Sequence, residues 1–322
     1  MKKSSSLLTG FLAMLFAAGL LSSAGTAQAA TVYSANFGSG TISSWDTSNP
    51  GAGSTTILSG ITGPIGVATD SLGNIYVSST ADGGSIRKYT QGGSFLTSLT
   101  GTGLTFALAF DSSDNLYYNT TEPTLNATYK TTTSLTSTSF FAVGSIPTGM
   151  FINASGNVSV INVNTGSLPY VRTYNSDETF VSLLNSGDNN PMDNSHGVTR
   201  DAAGNYYVSN RGNTLDGNYY ISKWDSSGNL VNGTYINTGY DAYGMLVDGS
   251  TLFVADHGDG TIAYYDLTNN GNYLGELAVG ASPTYMNFAT VPEPSTAALV
   301  CAAALLAGGT HLLRRRQGGK VS

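Results

Sequence analysis

The sequence predicts an all-β fold: a six-bladed β-propeller closed by pairing of its N- and C-terminal strands, flanked by an N-terminal signal peptide and a C-terminal transmembrane helix. Three observations lead to this fold class. One motif recurs every 41–48 residues, and the two ends of the repeat region hold complementary parts of a repeat. The composition also fits, because 40 of 322 residues are Gly, 19 are Tyr and only 10% are charged. Such a chain favours short strands and tight turns over helices.

Residues 1–30 have the pattern of a secretory signal peptide. Lys2 and Lys3 form a positive n-region, residues 7–21 form an apolar h-region, and Ala-Gln-Ala at 27–29 is a small-x-small cleavage site. The alternative is a short N-terminal membrane anchor, which the cleavage site and the polar sequence after it disfavour. No Cys follows the h-region, which argues against a lipoprotein anchor. We therefore expect this segment to be removed on export.

Each repeat has the pattern of two strands joined by a tight turn. It holds a small residue, an apolar run, an Asp or Asn, a turn that is most often Gly-Asn, and a Tyr-rich strand. The five copies span 66–78, 107–119, 149–161, 197–209 and 244–254. The Asp or Asn can accept main-chain N–H bonds, and Gly-Asn supplies positive φ. Third strands are predicted at 85–89, 220–224 and 261–265, and a fourth strand at 95–99. Four strands in each repeat are typical of a propeller blade.

The two ends of the repeat region together form one more blade. Residues 32–46 align without gaps to residues 252–266, so the first strands after the signal peptide correspond to the second and third strands of a blade. The missing first strand is predicted at 283–289. Pairing of these segments would close the ring and remove its open sheet edges. The count is five complete blades and one shared blade, over residues 31–290.

The repeat resembles that of NHL-type propellers, in which Gly-Val-Ala-x-Asp is followed by Gly-Asn-Ile-Tyr-Val and a third strand. Residues 66–78 and 197–209 match best. The blade at 149–187 departs most, with Asn153 in place of Asp and Ser159 in place of Tyr. The resemblance implies a propeller but leaves the function open, because such propellers include binding scaffolds and enzymes.

Residues 291–322 form a second segment with a defined pattern. Val291-Pro292-Glu293-Pro294 precedes an apolar stretch at 296–313, which is followed by Arg314, Arg315 and Arg316. Eighteen helical residues span about 27 Å, barely enough to cross a bilayer core, and the three Arg would stay on the cytoplasmic side. The alternative is a permanent membrane anchor.

This tail resembles the PEP-CTERM sorting signal, which consists of a Pro-Glu-Pro motif, a short membrane helix and a basic cluster. The match assigns 291–317 to the signal and 318–322 to a short cytoplasmic tail. The resemblance implies an exosortase-type membrane peptidase as partner, cleavage near Pro292 to Pro294, and a Gram-negative host with an exopolysaccharide matrix. We therefore expect export across the inner membrane and a final place in the cell envelope or outside the cell.

The charge of residues 31–291 limits the partners. They carry seven Lys and Arg against nineteen Asp and Glu, a net charge of −12. An acidic surface argues against nucleic acid or anionic lipid as a ligand. The only cysteine, Cys301, lies in the tail, so no disulfide can crosslink the propeller.

The NHL resemblance implies that the Gly-Val-Ala-x-Asp strand is innermost, so that the residue before its Gly lies at one mouth of the channel. These positions are Ile65, Phe106, Thr148, His196, Tyr243 and Thr284. The loop after each second strand reaches the same face and adds Asn36, Asn119, Asn162, Asn210, Arg211, Asp256 and His257. Within these two sets the candidate ligand-binding residues are Phe106, His196, Asn210, Arg211, Tyr243, Asp256 and His257. Phe106 and Tyr243 could stack on a sugar.

A catalytic metal site needs about three converging His or carboxylate ligands. His196, Asp256 and His257 are the candidates for such a site, on neighbouring blades. Aspartate pairs at 188 and 193 and at 256 and 259 suggest calcium but do not fit the twelve-residue EF-hand spacing. We expect no cofactor, with calcium or another divalent metal as the alternative. No Gly-x-Ser-x-Gly nucleophile motif is present.

Two functions remain open at this point. In the first, the propeller is a non-catalytic binding platform of the cell surface or extracellular matrix, with exopolysaccharide or envelope proteins as partners. In the second, it is a metal-dependent lyase or lactonase at the channel mouth. The scarcity of ligating side chains favours the first.

Overall fold

The computed structural model describes residues 30–121, 126–136, 138–143, 146–164, 167–184, 191–192, 194–211 and 219–289. This part of the chain consists of 24 β-strands and two short 3₁₀ turns, Pro50–Ala52 and Ala81–Gly83. None of its helices is long and apolar enough to cross a membrane. The predicted signal peptide and the sorting tail, with Val291, Pro292, Glu293, Pro294, Arg314, Arg315 and Arg316, lie outside the described residues.

The strands form six four-stranded antiparallel sheets, the blades. The innermost strands are β4 (Pro64–Thr69), β8 (Leu104–Phe110), β12 (Pro147–Ile152), β16 (Ser195–Arg200), β20 (Ala242–Asp248) and β24 (Pro283–Phe288). The second strands are β1 (Thr31–Asn36), β5 (Ile75–Ser79), β9 (Asn115–Thr121), β13 (Val158–Asn164), β17 (Tyr206–Asn210) and β21 (Thr251–Asp256). The third strands are β2 (Thr41–Asp46), β6 (Ser85–Tyr89), β10 (Ala127–Thr132), β14 (Ser167–Tyr174), β18 (Tyr220–Trp224) and β22 (Thr261–Asp266). The outer strands are β3 (Thr55–Leu58), β7 (Phe95–Thr100), β11 (Thr138–Val143), β15 (Phe180–Leu184), β19 (Leu230–Asn237) and β23 (Asn272–Ala278).

One blade is assembled from both ends of the described chain, in the order β24-β1-β2-β3. In the β1–β24 pair, Val32 lies opposite Phe288 and Ser34 opposite Met286. Just beyond the pair, the Ala289 N–H donates to the Thr31 carbonyl at 2.8 Å. The predicted six-bladed propeller and its closure by terminal strands are therefore confirmed.

The turn after four of the inner strands, β4, β8, β12 and β16, depends on an Asx side chain. The Asp70 carboxylate accepts the main-chain N–H of Leu72 at 3.1 Å and of Asn74 at 2.8 Å. Gly73 has a φ of 77°, which a residue with a Cβ rarely adopts. The same acceptor role is filled at the equivalent turns by Asp111, Asn153 and Asp201.

In three blades, the Asp of this turn interacts with a Tyr hydroxyl and a Lys ammonium. Tyr76 donates to the Asp70 carboxylate at 3.0 Å, and the Lys88 ammonium lies 3.4 Å from the same oxygen. The equivalent sets are Asp111, Tyr117 and Lys130, and Asp201, Tyr207 and Lys223. Burial alone would raise the pKa of Asp70, but bonds from Asn74 and Tyr76 and the charge of Lys88 hold it below the usual value. The pKa of Asp201 is lowered against burial in the same way.

The blade at 149–187, which departs most from the repeat, has other hydrogen bonds at the position where its second strand lacks the Tyr. Ser159, in place of Tyr, lies in a 2.8 Å hydrogen bond with Thr173. Thr173 in turn lies 3.4 Å from the hydroxyl of Tyr206, which comes from the next blade. Two small hydroxyl side chains and a neighbouring Tyr thus replace the missing aromatic ring.

The inner strands approach each other closely at the glycine of the repeat. A Cβ on Gly66 would lie 2.3 Å from the Phe106 carbonyl oxygen, and one on Gly197 would lie 2.2 Å from that of Tyr243. Both contacts are with main-chain atoms of the next blade, which cannot move aside independently. Ser209 links the same strands, because its hydroxyl accepts the Gly197 N–H at 2.7 Å and donates to the Tyr243 carbonyl at 3.0 Å.

We expect Gly197→Ala to lower the free energy of unfolding by about 1–3 kcal/mol, because the added methyl forces two blades apart. Gly92→Ala is the matched control, since its Cβ would meet only the Thr90 side chain at 3.8 Å. Urea unfolding followed by the fluorescence of the buried Trp45 and Trp224 measures both variants. Equal stability of the two variants would contradict the close-approach explanation.

A carboxylate whose pKa is lowered in the folded state stabilises the fold above its unfolded pKa of about 3.9. That contribution is lost as the pH falls through the lower, folded pKa. We therefore expect the free energy of unfolding to decrease below about pH 4, and to decrease less in the double variant Asp70→Asn, Asp201→Asn. Urea unfolding at neutral and acidic pH measures this. An unchanged pH dependence in the double variant would contradict the assignment.

Candidate functional site

The inner strands run along the central channel, so their first residues lie at one mouth and their last residues at the other. At the first mouth the structure brings together Phe106, His196 and Tyr243. The ring centroids of Phe106 and His196 are 6.0 Å apart, and those of His196 and Tyr243 are 4.7 Å apart. With Arg211 and His257, these residues form what we call the His196 mouth.

The other three inner-ring positions have different roles. The Thr148 hydroxyl donates to the Ser195 carbonyl at 2.8 Å, and the Thr284 hydroxyl donates to the Ile65 carbonyl at 2.5 Å. Both threonines are buried and link adjacent inner strands. Ile65 is buried with Ala107 and Tyr285. Only half of the inner ring therefore presents side chains suited to a ligand.

A channel plug, consisting of Ile65, Ala107 and Tyr285, lies behind the His196 mouth. Tyr285 occupies the position that is Gly66, Gly149, Gly197 or Gly244 in other blades, so a large ring fills the channel there. Its hydroxyl donates to the His196 carbonyl at 3.0 Å, across the intervening strand β20. Burial raises the pKa of Tyr285, which keeps this hydroxyl protonated.

Tyr243 lies at the centre of the His196 mouth. Its ring contacts those of both histidines, with the centroids of Tyr243 and His257 4.4 Å apart. The Arg211 guanidinium carbon is 4.6 Å from the Tyr243 ring centroid, within the range of a cation–π interaction. Tyr243 and His257 are both partly exposed, so the mouth presents an aromatic surface beside a cation.

The His196 side chain is buried and uncharged at neutral pH. Burial, the charge of Arg211 and the nearby His257 lower the pKa of His196 to about 3. Arg211 has only donors, so the 3.2 Å contact from its Nη1 makes the His196 Nε2 an acceptor. The neutral ring must then carry its hydrogen on Nδ1, which is buried without a hydrogen-bond partner.

Arg211 is held by Asp241, at the start of the next blade. Its Nη2 donates to the Asp241 carboxylate at 2.6 Å and its Nε to the second oxygen. Burial would lower the pKa of Arg211, but bonding to Asp241 and the neighbouring Tyr243 raise it above the usual value. The ion pair therefore fixes the Arg211 guanidinium in the His196 mouth, and the Asp241 carboxylate compensates its charge.

Asn210 does not reach the mouth. It is fully buried, accepts the Ser195 hydroxyl at 2.8 Å and donates to the Val208 carbonyl at 3.0 Å. The equivalent Asn36, Asn119 and Asn162 are buried as well. An amide at the end of the second strand therefore bonds within its blade, as in Asn210, or to a main-chain carbonyl of a neighbouring blade, as in Asn119 with the Thr148 carbonyl at 3.2 Å.

Asp256 is the counterpart of these amides in its blade. One carboxylate oxygen accepts the N–H of Gly258 at 2.9 Å and of Asp259 at 3.2 Å, within its own turn. Burial raises the pKa of Asp256. The His257 Nδ1 faces the Pro283 carbonyl at 3.4 Å. Asp256 thus bonds within its own turn, whereas His257 contacts the first residue of β24 in the next blade.

The proposed ligand set His196, Asp256 and His257 does not converge. The Tyr243 ring contacts both histidine rings, with its centroid 4.7 Å from that of His196 and 4.4 Å from that of His257. Among the described residues, no three His, Cys, Asp or Glu side chains are grouped so that they could hold a metal ion. The residue pair 256 and 259 belongs to one turn, whereas residues 188 and 193 lie outside the described part.

Three residues of this region were not identified by the sequence analysis: Asp241, Tyr285 and Phe37. Phe37 is 42% exposed and lies 6.5 Å from the His257 ring. The signal for Tyr285 was available, since a Tyr stands where four repeats have Gly. Nothing in the sequence pairs Asp241 with Arg211, because they are 30 residues apart and belong to adjacent blades.

No known protein family and no curated protein matches the sequence. Solved structures resemble the fold. A nidogen/laminin complex structure has a TM-score of 0.66 at 15% identity, over 82% of this chain and 99% of that chain. A gluconolactonase of Xanthomonas campestris gives 0.50 at 14% identity, over 71% and 83%. The WD40 β-propeller domain of Doa1 gives 0.52 at 12% identity, over 79% and 80%. Similarity at these identities extends to the fold alone. With the six four-stranded sheets of its described residues, the chain is an all-β, six-bladed propeller.

Proposed function

We propose that this protein is an exported, non-catalytic binding protein whose His196 mouth binds a neutral saccharide of the cell-surface matrix. The observation that carries the proposal is the partly exposed ring of Tyr243, flanked by His196, His257 and the Arg211 guanidinium. Ligand sites commonly combine aromatic walls with a few oriented polar groups. Phe106 and Phe37 extend the aromatic surface on either side.

The charge state of the mouth favours an uncharged ligand. Arg211 is neutralised by Asp241, and His196 is neutral at physiological pH. The surrounding propeller is strongly acidic, with a net charge of −12 over residues 31–291. A polyanion such as nucleic acid or an acidic polysaccharide would be repelled by that field. A neutral sugar avoids this cost and offers hydroxyls to the polar groups of the mouth.

The location of the protein follows from the sequence patterns at its two ends. We infer that residues 1–30 direct export and that the tail at 291–317 is recognised by an exosortase-type peptidase and cleaved near Pro292 to Pro294. The processed propeller then belongs to the cell envelope or the extracellular matrix. Polysaccharide is abundant there, which supports the saccharide proposal. Envelope proteins are the alternative partners.

The lyase or lactonase alternative receives little support from the donor groups. Asp256 uses a carboxylate oxygen within its own turn, and the His196 Nε2 faces a guanidinium, which repels a metal cation. The likeness to a gluconolactonase covers the fold and carries no residue of that enzyme to this chain.

Tyr243→Ala should weaken binding of the full chain to its neutral matrix polysaccharide by roughly five- to twelvefold, the loss expected for one aromatic contact of about 1–1.5 kcal/mol. Affinity gel electrophoresis against a panel of neutral polysaccharides measures this. Tyr243→Phe keeps the ring and should bind nearly as well as the parent. Tyr273→Ala, on an outer strand where Tyr273 is 52% exposed, is the control for a general loss of surface Tyr. Equal binding by Tyr243→Ala and the parent would overturn the proposal.

Elemental analysis of the purified full chain separates the two functions. We expect no stoichiometric metal after exhaustive dialysis, and no difference between the parent, His196→Ala and His257→Ala. A stoichiometric divalent metal that either substitution removes would contradict the binding proposal. Activity screening against lactones and lyase substrates would then take priority.

A further inference from the structure

Five rings form a row that crosses the channel at the His196 mouth. The row begins at Phe37, in the turn after β1, and passes through His257, Tyr243 and His196 to Phe106. Successive ring centroids are 6.5, 4.4, 4.7 and 6.0 Å apart. Tyr243 and Phe106 belong to β20 and β8, which lie in opposite blades of the ring. We call these five residues the aromatic row.

Phe37, the outer end of the aromatic row, is held in place although it is exposed. Its N–H donates to the Ser282 carbonyl at 2.9 Å, and the Gly38 N–H donates to the Ala281 carbonyl at 2.9 Å. A Cβ on Gly63 would lie 3.1 Å from the Phe37 ring, so this ring rests on the segment before β4, in the next blade. A fixed, exposed aromatic ring beside a candidate site is suited to pack against a ligand.

A ligand that uses the whole aromatic row must be elongated. Phe37 is exposed and His257, Tyr243 and Phe106 are partly exposed, whereas His196 is buried beneath them. A six-membered sugar ring is about as wide as one step between aromatic rings, so a monosaccharide covers only a part of the row. The channel plug closes the channel behind the mouth. An extended ligand therefore lies across the mouth instead of passing through the channel.

The ion pair beside the aromatic row favours a hydroxyl-bearing ligand over an apolar one. The side chains of Arg211 and Asp241 are 25% and 21% exposed, and the guanidinium lies against Tyr243. The contacts made with described residues use three of its five N–H groups, two toward Asp241 and one toward His196. An apolar ligand would displace water from this pair without replacing its hydrogen bonds, which is costly. Sugar hydroxyls can donate to the carboxylate and accept from the guanidinium.

We propose that the aromatic row binds a linear neutral glycan over about three to four consecutive sugar units. The inference rests on the saccharide binding proposed above, and it adds the length of the ligand and its path. The chain runs from Phe37, over the channel, to Phe106. A short ligand is held beside Tyr243 and Arg211, where polar and aromatic groups meet, and only a longer chain also covers Phe37. Affinity therefore increases with chain length until the row is covered.

Titration calorimetry of the full chain with cello-, laminari- and manno-oligosaccharides of two to six units tests this length dependence. We expect the hexasaccharide of at least one series to bind with one-to-one stoichiometry. Its affinity should exceed that of its own disaccharide by at least about tenfold, because the longer chain makes about two more aromatic contacts. n-Octanol, as the apolar probe, should bind more weakly than this hexasaccharide.

Phe37→Ala should weaken binding of the hexasaccharide by roughly five- to twelvefold, the loss of one aromatic contact, and should change binding of the disaccharide by less than about twofold. Phe95→Ala is the matched control, because Phe95 is 57% exposed on the outer strand β7, away from the mouth. This control should bind both ligands as the parent does.

The proposal is overturned by equal affinity for the disaccharide and the hexasaccharide, by equal binding in Phe37→Ala and Phe95→Ala, by tighter binding of n-octanol than of any hexasaccharide, or by no oligosaccharide binding at all. In each case, a neutral polysaccharide that retains the parent but not Tyr243→Ala shows that the function of the His196 mouth still stands. If no polysaccharide retains the parent, that function fails as well.

A crystal soak covers the case in which Phe37→Ala does not fold. Crystals of the unaltered chain are then soaked with the hexasaccharide that binds most tightly. Sugar density that extends over the Phe37 ring supports the aromatic row, and density confined to the surroundings of Tyr243 overturns it.

Discussion

The close approach of neighbouring inner strands is the constraint on which the propeller depends. At Gly66, Gly149 and Gly197 the main-chain carbonyl of the next blade lies where a Cβ would be, within 2.3 Å. Ser78 and Ser209 bridge the same pairs of inner strands, because each hydroxyl accepts the glycine N–H and donates to the carbonyl of the next blade. The narrow ring is therefore held by short polar contacts between blades, and the apolar clusters between the outer parts of the blades fill the remaining space.

The closing blade departs from this rule, and the departure divides the channel. Tyr285 has a large ring where the repeats have Gly, and its hydroxyl reaches the His196 carbonyl two inner strands away. The same residue therefore supports the backbone beneath the His196 mouth and lines the space at the other end of the channel. Together with Ile65 and Ala107, Tyr285 separates the His196 mouth from that space.

The sequence predicted the elements better than the site, for a physical reason. Strand positions follow from local alternation and turn residues, so third strands at 85–89 and 220–224 agree with β6 and β18. Closure could be predicted because residues 32–46 and 252–266 are equivalent. The buried position of Asn210 could not be predicted, since an amide at the end of a strand suits a channel mouth and a buried hydrogen-bonding position equally well. Arg211 acquires its partner from another blade, and such a pairing depends on three-dimensional packing.

The closure strand has a mechanical consequence. β24 runs along the channel from the His196 mouth to its other end, and its C-terminal end, Phe288, leads into the rest of the chain. A pull between that end and a ligand held at the His196 mouth acts along the strand axis. The hydrogen bonds between β24 and β1, from Val32 opposite Phe288 to Asn36 opposite Pro283, are then loaded in shear and share the force. A propeller closed in this way resists extension along its axis, whereas a pull across the axis would open the same bonds one by one.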